Sequence, residues 1–161
     1  MKKIYFAGGC FWGVERYFQL INDSIKTTVG YGQTTKENPT YEEICANLVE
    51  GIETVELEYD ENVITLNELL VALFKIINPE QENGQGNDHG FQYQVAIFYQ
   101  DPSDYKQIND FLINERKKYK EFYVKLEKLE SYYLAEELHQ NYLTKNPTGY
   151  CHINLSEVLT K

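Results

Sequence analysis

The sequence has few of the residues from which disulfide scaffolds and zinc sites are built. Its cysteines number three, they lie far apart at Cys10, Cys45 and Cys151, and none belongs to a Cys-x-x-Cys pair. An odd and scattered set of this kind excludes a secreted disulfide framework. The three histidines show no zinc-binding spacing relative to these cysteines. We therefore expect no metal and no other cofactor.

Long apolar runs and an excess of basic residues are also missing. No stretch approaches the roughly 20 consecutive apolar residues of a transmembrane helix. The apolar run near the N-terminus is too short for a signal peptide, because Gly8-Gly9 interrupts it. The net charge is −10, with 25 acidic against 15 basic residues, so nucleic acid and anionic membranes should repel the chain. We expect a cytoplasmic protein that binds neither of them, and we expect it to be a monomer.

Apolar and aromatic residues are plentiful. The chain has 161 residues, of which 42% are hydrophobic and 14% aromatic, including 14 Tyr and 8 Phe. This length and composition are typical of one globular domain that buries its own core. We therefore take residues 1–161 as a single domain.

Hydrophobic periodicity predicts alternating strands and helices in the first two thirds of the chain. In the order strand, helix, strand, strand, helix, strand, the segments are 3–7, 11–21, 25–29, 54–59, 66–77 and 93–99. This order is the split βαβ pattern of ferredoxin-like folds. The expected fold class is α/β, as an α+β two-layer sandwich. It has a ferredoxin-like βαββαβ core with a mixed sheet, extra C-terminal helices and an irregular C-terminal tail.

The patterns beyond residue 99 are weaker. They predict a helix near 103–119, with Tyr105, Ile108 and Leu112 on one face, and then a strand over 122–129. After that strand, a last helix is predicted from the spacing of its apolar residues, which are Leu134, Leu138 and Tyr142.

Cys10 stands at a predicted strand-to-helix turn, directly after Gly8-Gly9. Free N–H groups and the positive end of the helix dipole converge at such a position, and both favour a thiolate. The two glycines let the backbone turn sharply and leave the sulfur accessible. Position alone leaves two readings open, since Cys10 can be a nucleophile or a small buried apolar residue.

Four segments, in this order, resemble the signature segments of peptide methionine sulfoxide reductases of the A class. They are GCFWGVE at 9–15, NPTY at 38–41 followed by Cys45, QGNDHG at 85–90 followed by Gln92-Tyr93, and KNPTGYC at 145–151. Together they extend over almost the whole chain. We expect Cys45 itself to be a buried apolar residue.

The resemblance implies catalytic roles for five residues. Reducing a sulfoxide needs a soft nucleophile for sulfur, an acid for the departing oxygen, and donors that hold this oxygen. The resemblance assigns Cys10 as the nucleophile and Glu53 as the acid. It assigns Tyr41 and Tyr93 as the oxygen-holding hydroxyls, and Cys151 as the thiol that resolves oxidised Cys10. Residue type alone leaves Glu53 open as a solvated carboxylate at a strand edge.

The resemblance also implies a substrate site. Phe11 and Trp12 match the apolar pocket for the substrate's methyl group, and Asp88 and His89 match the loop that lines the site. By residue type, Asp88 is equally well explained as a turn aspartate, and His89 as an exposed loop histidine. The chain departs from the family pattern at Gly51, where a histidine is usual, and at Phe91 and Gln94, where threonine and arginine are usual.

The implied activity is reduction of methionine-S-sulfoxide, in proteins or free, to methionine. The implied cycle passes through a sulfenic acid on Cys10 and a disulfide with Cys151, which thioredoxin reduces. The partners would be oxidised proteins or peptides and thioredoxin. Two other functions stay open on the residues alone. One is a cysteine hydrolase or transferase with Cys10 and His89, and the other is a non-catalytic binding domain with the same core.

Overall fold

The structure, a computed structural model, describes residues 1–155. Its strands are β1 (Lys2–Gly8), β2 (Lys26–Gly32), β3 (Ile52–Tyr59), β4 (Gly84–Gln85), β5 (Asp88–His89), β6 (Val95–Tyr99), β7 (Lys125–Lys128) and β8 (Tyr132–Leu134). Its α-helices are α1 (Phe11–Ile21), α2 (Tyr41–Cys45), α3 (Leu66–Phe74), α4 (Pro102–Arg116) and α5 (Tyr142–Lys145). Short 3-10 turns cover Phe91–Tyr93 and Glu137–His139. Within residues 1–155, no helix is both long and apolar enough to cross a membrane.

Six strands form one mixed sheet in the order β7-β6-β1-β3-β2-β8. The four central strands β6, β1, β3 and β2 pair antiparallel, with α1 following β1 and α3 following β3 along the chain. This is the ferredoxin-like arrangement, so the predicted core order is confirmed. At the edges, β7 runs parallel to β6 and β8 runs antiparallel to β2. The strand predicted over 122–129 is thereby confirmed as β7.

The central strand β1 is buried on both faces of the sheet. Ile4 and Phe6 belong to the main core, which α1 and α3 cover. Tyr5 and Ala7 point to the opposite face, where they join a smaller apolar cluster with Phe98. Side chains alternate between the faces of a strand, so an uninterrupted apolar run is what a strand covered on both sides requires. The second face is covered by partly buried residues of the C-terminal third, Leu129 and Tyr132.

Helix α3 begins at a capping box, which the sequence Thr65-Leu66-Asn67-Glu68 predicts. The Thr65 hydroxyl accepts the Glu68 N–H at 3.1 Å, and the Glu68 carboxylate accepts the Thr65 N–H at 3.2 Å. These two bonds satisfy backbone groups that the first helical turn leaves free. Behind them, Leu69, Leu70 and Leu73 are fully buried. The box and the leucine stripe together fix where the helix begins and which face it buries.

The prediction of a last helix marked by Leu134, Leu138 and Tyr142 is wrong. Leu134 ends β8 and pairs with Gly30, and Leu138 lies in a 3-10 turn. Their side chains are 64% and 61% exposed, so their spacing is not a buried stripe. The open edge of β2 takes this segment as a strand because it offers unpaired backbone groups. The helix there is α5, which covers only Tyr142–Lys145.

Two further expectations differ in detail. Helix α4 matches the helix predicted near 103–119, and Ile108 and Leu112 are buried as expected, but Tyr105 is 43% exposed. Residues 78–91 are rich in Asn, Gly and Gln, a composition that predicts a long loop, and they contain the small β4–β5 hairpin. That hairpin carries the central matching segment and brings Asp88 towards the C-terminal tail.

We expect Leu70→Ala to lower the free energy of unfolding by about 3 kcal/mol, because it opens a cavity in the main core. The matched control is Val71→Ala on the same helix, where the side chain is 42% exposed and the loss should stay below about 0.5 kcal/mol. Urea denaturation of both variants measures the difference. Equal losses would contradict the placement of these two residues.

Candidate active site

Cys10 is the N-cap of α1, and the turn before it depends on Gly9. Gly9 has a φ of +89°, a conformation that side-chain-bearing residues rarely adopt. A methyl group on Gly9 would lie 2.9 Å from Cβ of Gln85 and 3.0 Å from Nε2 of His152. Glycine is therefore needed there both for the turn and for the close approach of two other segments.

The sulfur of Cys10 accepts hydrogen bonds from the backbone N–H groups of Trp12 and Gly13. These donors lower its pKa, as expected at a helix start. Burial acts in the opposite direction and outweighs them, since Cys10 is 7% exposed, and the Glu53 carboxylate raises the pKa further. The pKa of Cys10 therefore lies well above its ordinary value. The predicted thiolate is wrong for the resting site, although the predicted donors are present.

Glu53 is 1% exposed and faces the same way as Val55 and Leu57 on β3. Its carboxylate accepts the Phe11 N–H at 3.1 Å and the Gln92 side-chain amide at 2.8 Å. Burial raises the pKa of Glu53 to about 7, against the effect of these two bonds. The solvated alternative for Glu53 is excluded. A carboxyl with this pKa can hold or release a proton near neutrality.

Cys10 and Glu53 disfavour each other's charge. The negative carboxylate raises the pKa of the Cys10 thiol, and both groups lie in a site with little access to water. Above the pKa of Glu53 the two groups therefore carry one negative charge, which the raised pKa of the thiol places mainly on the carboxylate. The thiol with a carboxylate, and the thiolate with a carboxylic acid, are two forms of the same protonation state.

Gln92 is a site residue that the sequence interpretation did not single out. Its side-chain amide donates to Glu53 and also lies 3.5 Å from Sγ of Cys45. It belongs to the 3-10 turn that ends at Tyr93, and it is 8% exposed. Its place directly before Tyr93 in a matching segment was the available signal. Its structural role is to hold one carboxylate oxygen of Glu53.

Tyr41 and Tyr93 both lie within electrostatic range of Glu53, and Tyr93 also within range of Cys10. Burial is the main cause that raises the pKa of each phenol well above its ordinary value. Both hydroxyls therefore stay protonated and can donate hydrogen bonds at neutral pH. The structure thus brings Cys10, Glu53, Tyr41 and Tyr93 into one site.

The expectation that Cys45 is buried is wrong. Cys45 ends the five-residue helix α2 and is exposed, and Ile44 is the residue that this helix buries. The hydroxyl of Tyr41 is hydrogen-bonded with the Cys45 thiol. Cys45 therefore lies at the outer side of the site, next to Tyr41 and Gln92.

The two aromatic residues after Cys10 occupy different environments. Phe11 is 1% exposed and belongs to the main core. Trp12 is half-buried, its ring stacks on Tyr142 at 3.8 Å, and its N–H donates to Nδ1 of His139 at 3.1 Å. The His139 ring also lies 4.5 Å from that of Tyr41. His139, which no sequence motif indicated, therefore fixes the orientation of Trp12 beside Tyr41.

Asp88 lies in the site region and His89 points to the surface. The Asp88 carboxylate accepts the Tyr150 hydroxyl at 2.9 Å and lies 4.0 Å from Nδ1 of His152. The His89 side chain is exposed, so the histidine that lies next to Asp88 is His152.

Within residues 1–155, no group of three or more His, Cys, Asp or Glu side chains is arranged to hold a metal ion.

The C-terminal tail brings Cys151 to the first turn of α1. A methyl group on Gly13 would lie 2.8 Å from Sγ of Cys151, while the Gly13 N–H points to the sulfur of Cys10. Gly13 therefore lies between the two cysteines. His152 anchors the tail through a 2.9 Å hydrogen bond between its Nε2 and the Gly8 carbonyl. All three cysteines are free thiols.

Comparison with known proteins identifies one family along nearly the whole length of the chain. A family model described as peptide methionine sulfoxide reductase matches residues 2–161. The peptide methionine sulfoxide reductase MsrA of Mycoplasma genitalium is 52% identical over 154 residues, which are 95% of this chain and 98% of that relative. MsrA of Clostridium perfringens is 50% identical over 156 residues, with 96% and 99% covered.

Solved structures agree with this assignment and with the fold. Mxr1 from Saccharomyces cerevisiae in its reduced form is similar at a TM-score of 0.89 and 34% identity, over 95% of this chain and 91% of that one. Methionine sulfoxide reductase A of Corynebacterium diphtheriae is similar at a TM-score of 0.83 and 32% identity, over 93% and 77%. On these matches the chain, an oxidoreductase, belongs to the peptide methionine sulfoxide reductase family.

Proposed function

We propose that this enzyme reduces methionine-S-sulfoxide, in proteins and as the free amino acid, with Cys10 as the nucleophile. The observation that carries the proposal is the buried carboxyl of Glu53, which accepts the N–H of the residue directly after Cys10. Its pKa of about 7 suits it to protonate a departing oxygen at neutral pH. The resemblance of the four sequence segments supports the choice of substrate.

In the first step the sulfur of Cys10 attacks the sulfoxide sulfur, and the oxygen moves to Cys10. Glu53 takes the thiol proton and delivers it to this oxygen, so the carboxyl ends the step as it began. The sulfoxide sulfur gains two electrons and leaves as the thioether of methionine. Cys10 loses two electrons and becomes a sulfenic acid, the first and reversible stage of thiol oxidation.

Tyr41 and Tyr93 hold the oxygen while negative charge develops on it. Their protonated hydroxyls are the kind of preorganised donor that stabilises an oxyanion in a site with little water. Trp12, oriented by His139, would receive the substrate's methyl group. Burying one methyl group contributes about 1 kcal/mol, which orients a small substrate without binding it tightly. Phe11 supports this pocket from the core.

In the second step Cys151 attacks the sulfenic sulfur of Cys10. The S–S bond forms, the S–O bond breaks, and the oxygen leaves as water with the proton of the Cys151 thiol. The position of Gly13 supports this pairing. Its N–H donates to the sulfur of Cys10, and its Cα faces the sulfur of Cys151. A glycine leaves room for the two sulfurs to approach over the first turn of α1.

The disulfide is then opened by an external dithiol, which we assign to thioredoxin. Mxr1, similar to this chain in its reduced form, has also been solved in complex with Trx2. Tyr150, the neighbour of Cys151, is 46% exposed, which is consistent with access by a partner protein. We propose that residues 1–161 work as a single domain and as a monomer in the cytoplasm.

A cysteine hydrolase with His89 as its base is less consistent with the site. That chemistry needs a histidine within hydrogen-bond reach of the thiol, and the His89 side chain is exposed. Of the two carboxyl groups that affect the Cys10 thiol electrostatically, Glu53 has the larger effect and Asp88 the smaller one. A carboxyl with a raised pKa suits protonation of an oxygen.

We expect Cys10→Ser to abolish reduction of N-acetylmethionine-S-sulfoxide with dithiothreitol as the reductant, because a hydroxyl is a far weaker nucleophile for sulfur than a thiolate. Chromatographic detection of N-acetylmethionine measures the product. Circular dichroism checks that the variant is folded. Activity near that of the unmodified enzyme would refute Cys10 as the nucleophile and the proposed function with it.

We expect the single-turnover rate to rise with pH through about 7, because the Cys10–Glu53 pair loses its first proton there and the reactive form, thiolate with carboxylic acid, becomes available. Glu53→Gln should lower the rate by roughly 10²–10⁴-fold. It should also move the midpoint of the pH–rate profile to higher pH, since the buried Cys10 thiol then titrates alone. Rapid-quench kinetics over a pH series measures both effects.

The matched control for that experiment is Glu58→Gln, a half-buried glutamate on the same strand, which should leave the rate and its midpoint unchanged. An unchanged midpoint in Glu53→Gln would show that the titration near 7 belongs to another group.

We expect Cys151→Ser to release one methionine per enzyme and then to stall when thioredoxin is the reductant. The sulfenic acid on Cys10 should accumulate, because no thiol remains in place to convert it to a disulfide. Dimedone labelling followed by mass spectrometry locates the modified cysteine. Sustained turnover would identify a different resolving thiol, with exposed Cys45 as the candidate.

A further inference from the structure

The proposed second step needs a group that removes the proton of Cys151. Cys151 is half-buried, and burial raises the pKa of its thiol above the ordinary value. The thiolate is the form that attacks sulfur, so the proton must leave as the S–S bond forms. The first step has Glu53 for such a transfer, whereas the second step still needs a base beside Cys151.

His152 has the tautomer that a base requires. Its Nε2 lies 2.9 Å from the Gly8 carbonyl oxygen. A carbonyl oxygen only accepts hydrogen bonds, so Nε2 carries the hydrogen and Nδ1 of the neutral ring carries a lone pair. Burial lowers the pKa of His152 below its ordinary value. The ring is therefore neutral, and Nδ1 is free to accept a proton at neutral pH.

The lone pair on Nδ1 is buried and lacks a partner. Nδ1 has no hydrogen-bond partner in the described part of the chain, although the His152 side chain is only 5% exposed. A buried polar atom without a partner is uncommon and costs stability. Such an atom at an active site is explained if it acquires its partner during the reaction.

Nδ1 of His152 and Sγ of Cys151 share one small space beside Gly13. A methyl group on Gly13 would lie 3.4 Å from Nδ1 and 2.8 Å from Sγ. The Gly13 N–H points to the sulfur of Cys10. Gly13 is therefore next to all three groups of the second step. They are Nδ1 of His152, the Cys151 thiol and the sulfur of Cys10, which would carry the sulfenic acid.

The Asp88 carboxylate lies close enough to His152 to stabilise the positive charge that a protonated ring would carry. This carboxylate lies 4.0 Å from Nδ1 and is fixed by the Tyr150 hydroxyl at 2.9 Å. The Cys151 thiol and the Tyr150 phenol lie on the same segment as His152, and Tyr17, Glu68 and Lys75 line the cavity that His152 also lines. The carboxylate lies on the Nδ1 side of the ring, so it would pair with the imidazolium once Nδ1 has taken the proton.

We infer that His152 is the base of the resolving step: its Nδ1 takes the proton of the Cys151 thiol as Cys151 attacks the sulfenic acid on Cys10. The inference rests on the proposed function. The S–S bond forms while the S–O bond of Cys10 breaks. The departing hydroxide takes the proton from the imidazolium and leaves as water, so His152 ends neutral. Cys10 gains one electron and Cys151 loses one, and no other reactant is needed.

The test separates the two steps in a single turnover of the full chain with N-acetylmethionine-S-sulfoxide and no reductant. Product release reports the first step, and loss of free thiols reports disulfide formation. In His152→Gln the side-chain amide can still donate to the Gly8 carbonyl but has no basic nitrogen. We expect product release at the unmodified rate and disulfide formation roughly 100-fold slower.

Two further variants distinguish a base from an anchor for the tail. His152→Ala should also resolve slowly and should regain speed in proportion to added imidazole, which supplies the missing base. Thr148→Ala, an exposed position on the same tail, should leave both steps unchanged.

Disulfide formation at the unmodified rate in His152→Gln, or no rescue of His152→Ala by imidazole, would overturn the inference. Slowed product release in His152→Gln would also overturn it, because His152 would then act on the first step. If the unmodified enzyme itself released no product, the proposed function would fail instead, so the two failures are distinguishable.

Discussion

The hydrogen bond from the Phe11 N–H to the Glu53 carboxylate ties the first turn of α1 to β3, and the site is arranged about it. Cys10 directly precedes Phe11, so this one bond fixes the Cys10 thiol relative to the Glu53 carboxyl. The carboxylate is almost fully buried, and it needs the second donor, Gln92, to be tolerated there. Burial in turn raises the pKa of both the thiol and the carboxyl, and the proposed mechanism depends on these two shifts.

The features of the site that depend on local sequence could be predicted. Alternation along β3 puts Glu53 on the same face as Val55 and Leu57, although the sequence predicted this strand only from residue 54 and residue type alone left Glu53 open. The Gly8-Gly9 turn places Cys10 at a helix start, and the capping box at Thr65 fixes the beginning of α3. In each case neighbouring residues determine the geometry. The order of strands and helices in the ferredoxin-like core was likewise predicted from the periodicity of apolar residues.

The features that depend on distant contacts could not be predicted. His139 and His152 come to the site from the C-terminal third, and nothing near them in sequence indicates Trp12 or Gly8 as partners. The spacing of Leu134 and Leu138 suggested a helix because periodicity does not reveal that an edge strand elsewhere is unpaired. The charge of Cys10 was misjudged for a related reason, since the helix start favours a thiolate whereas the surrounding fold buries it.

The buried carboxyl of Glu53 also affects the energetics of folding. Its pKa is about 7 in the folded protein against an ordinary 4.5, so folding takes up a proton at intermediate pH. This contribution to stability is fully present below about pH 4.5 and is lost as the pH rises through about 7, and it amounts to roughly 3 kcal/mol. The fold is therefore stabilised least at the pH where the site holds the charge that the proposed mechanism requires. On the proposed mechanism, activity is therefore maintained at the expense of stability.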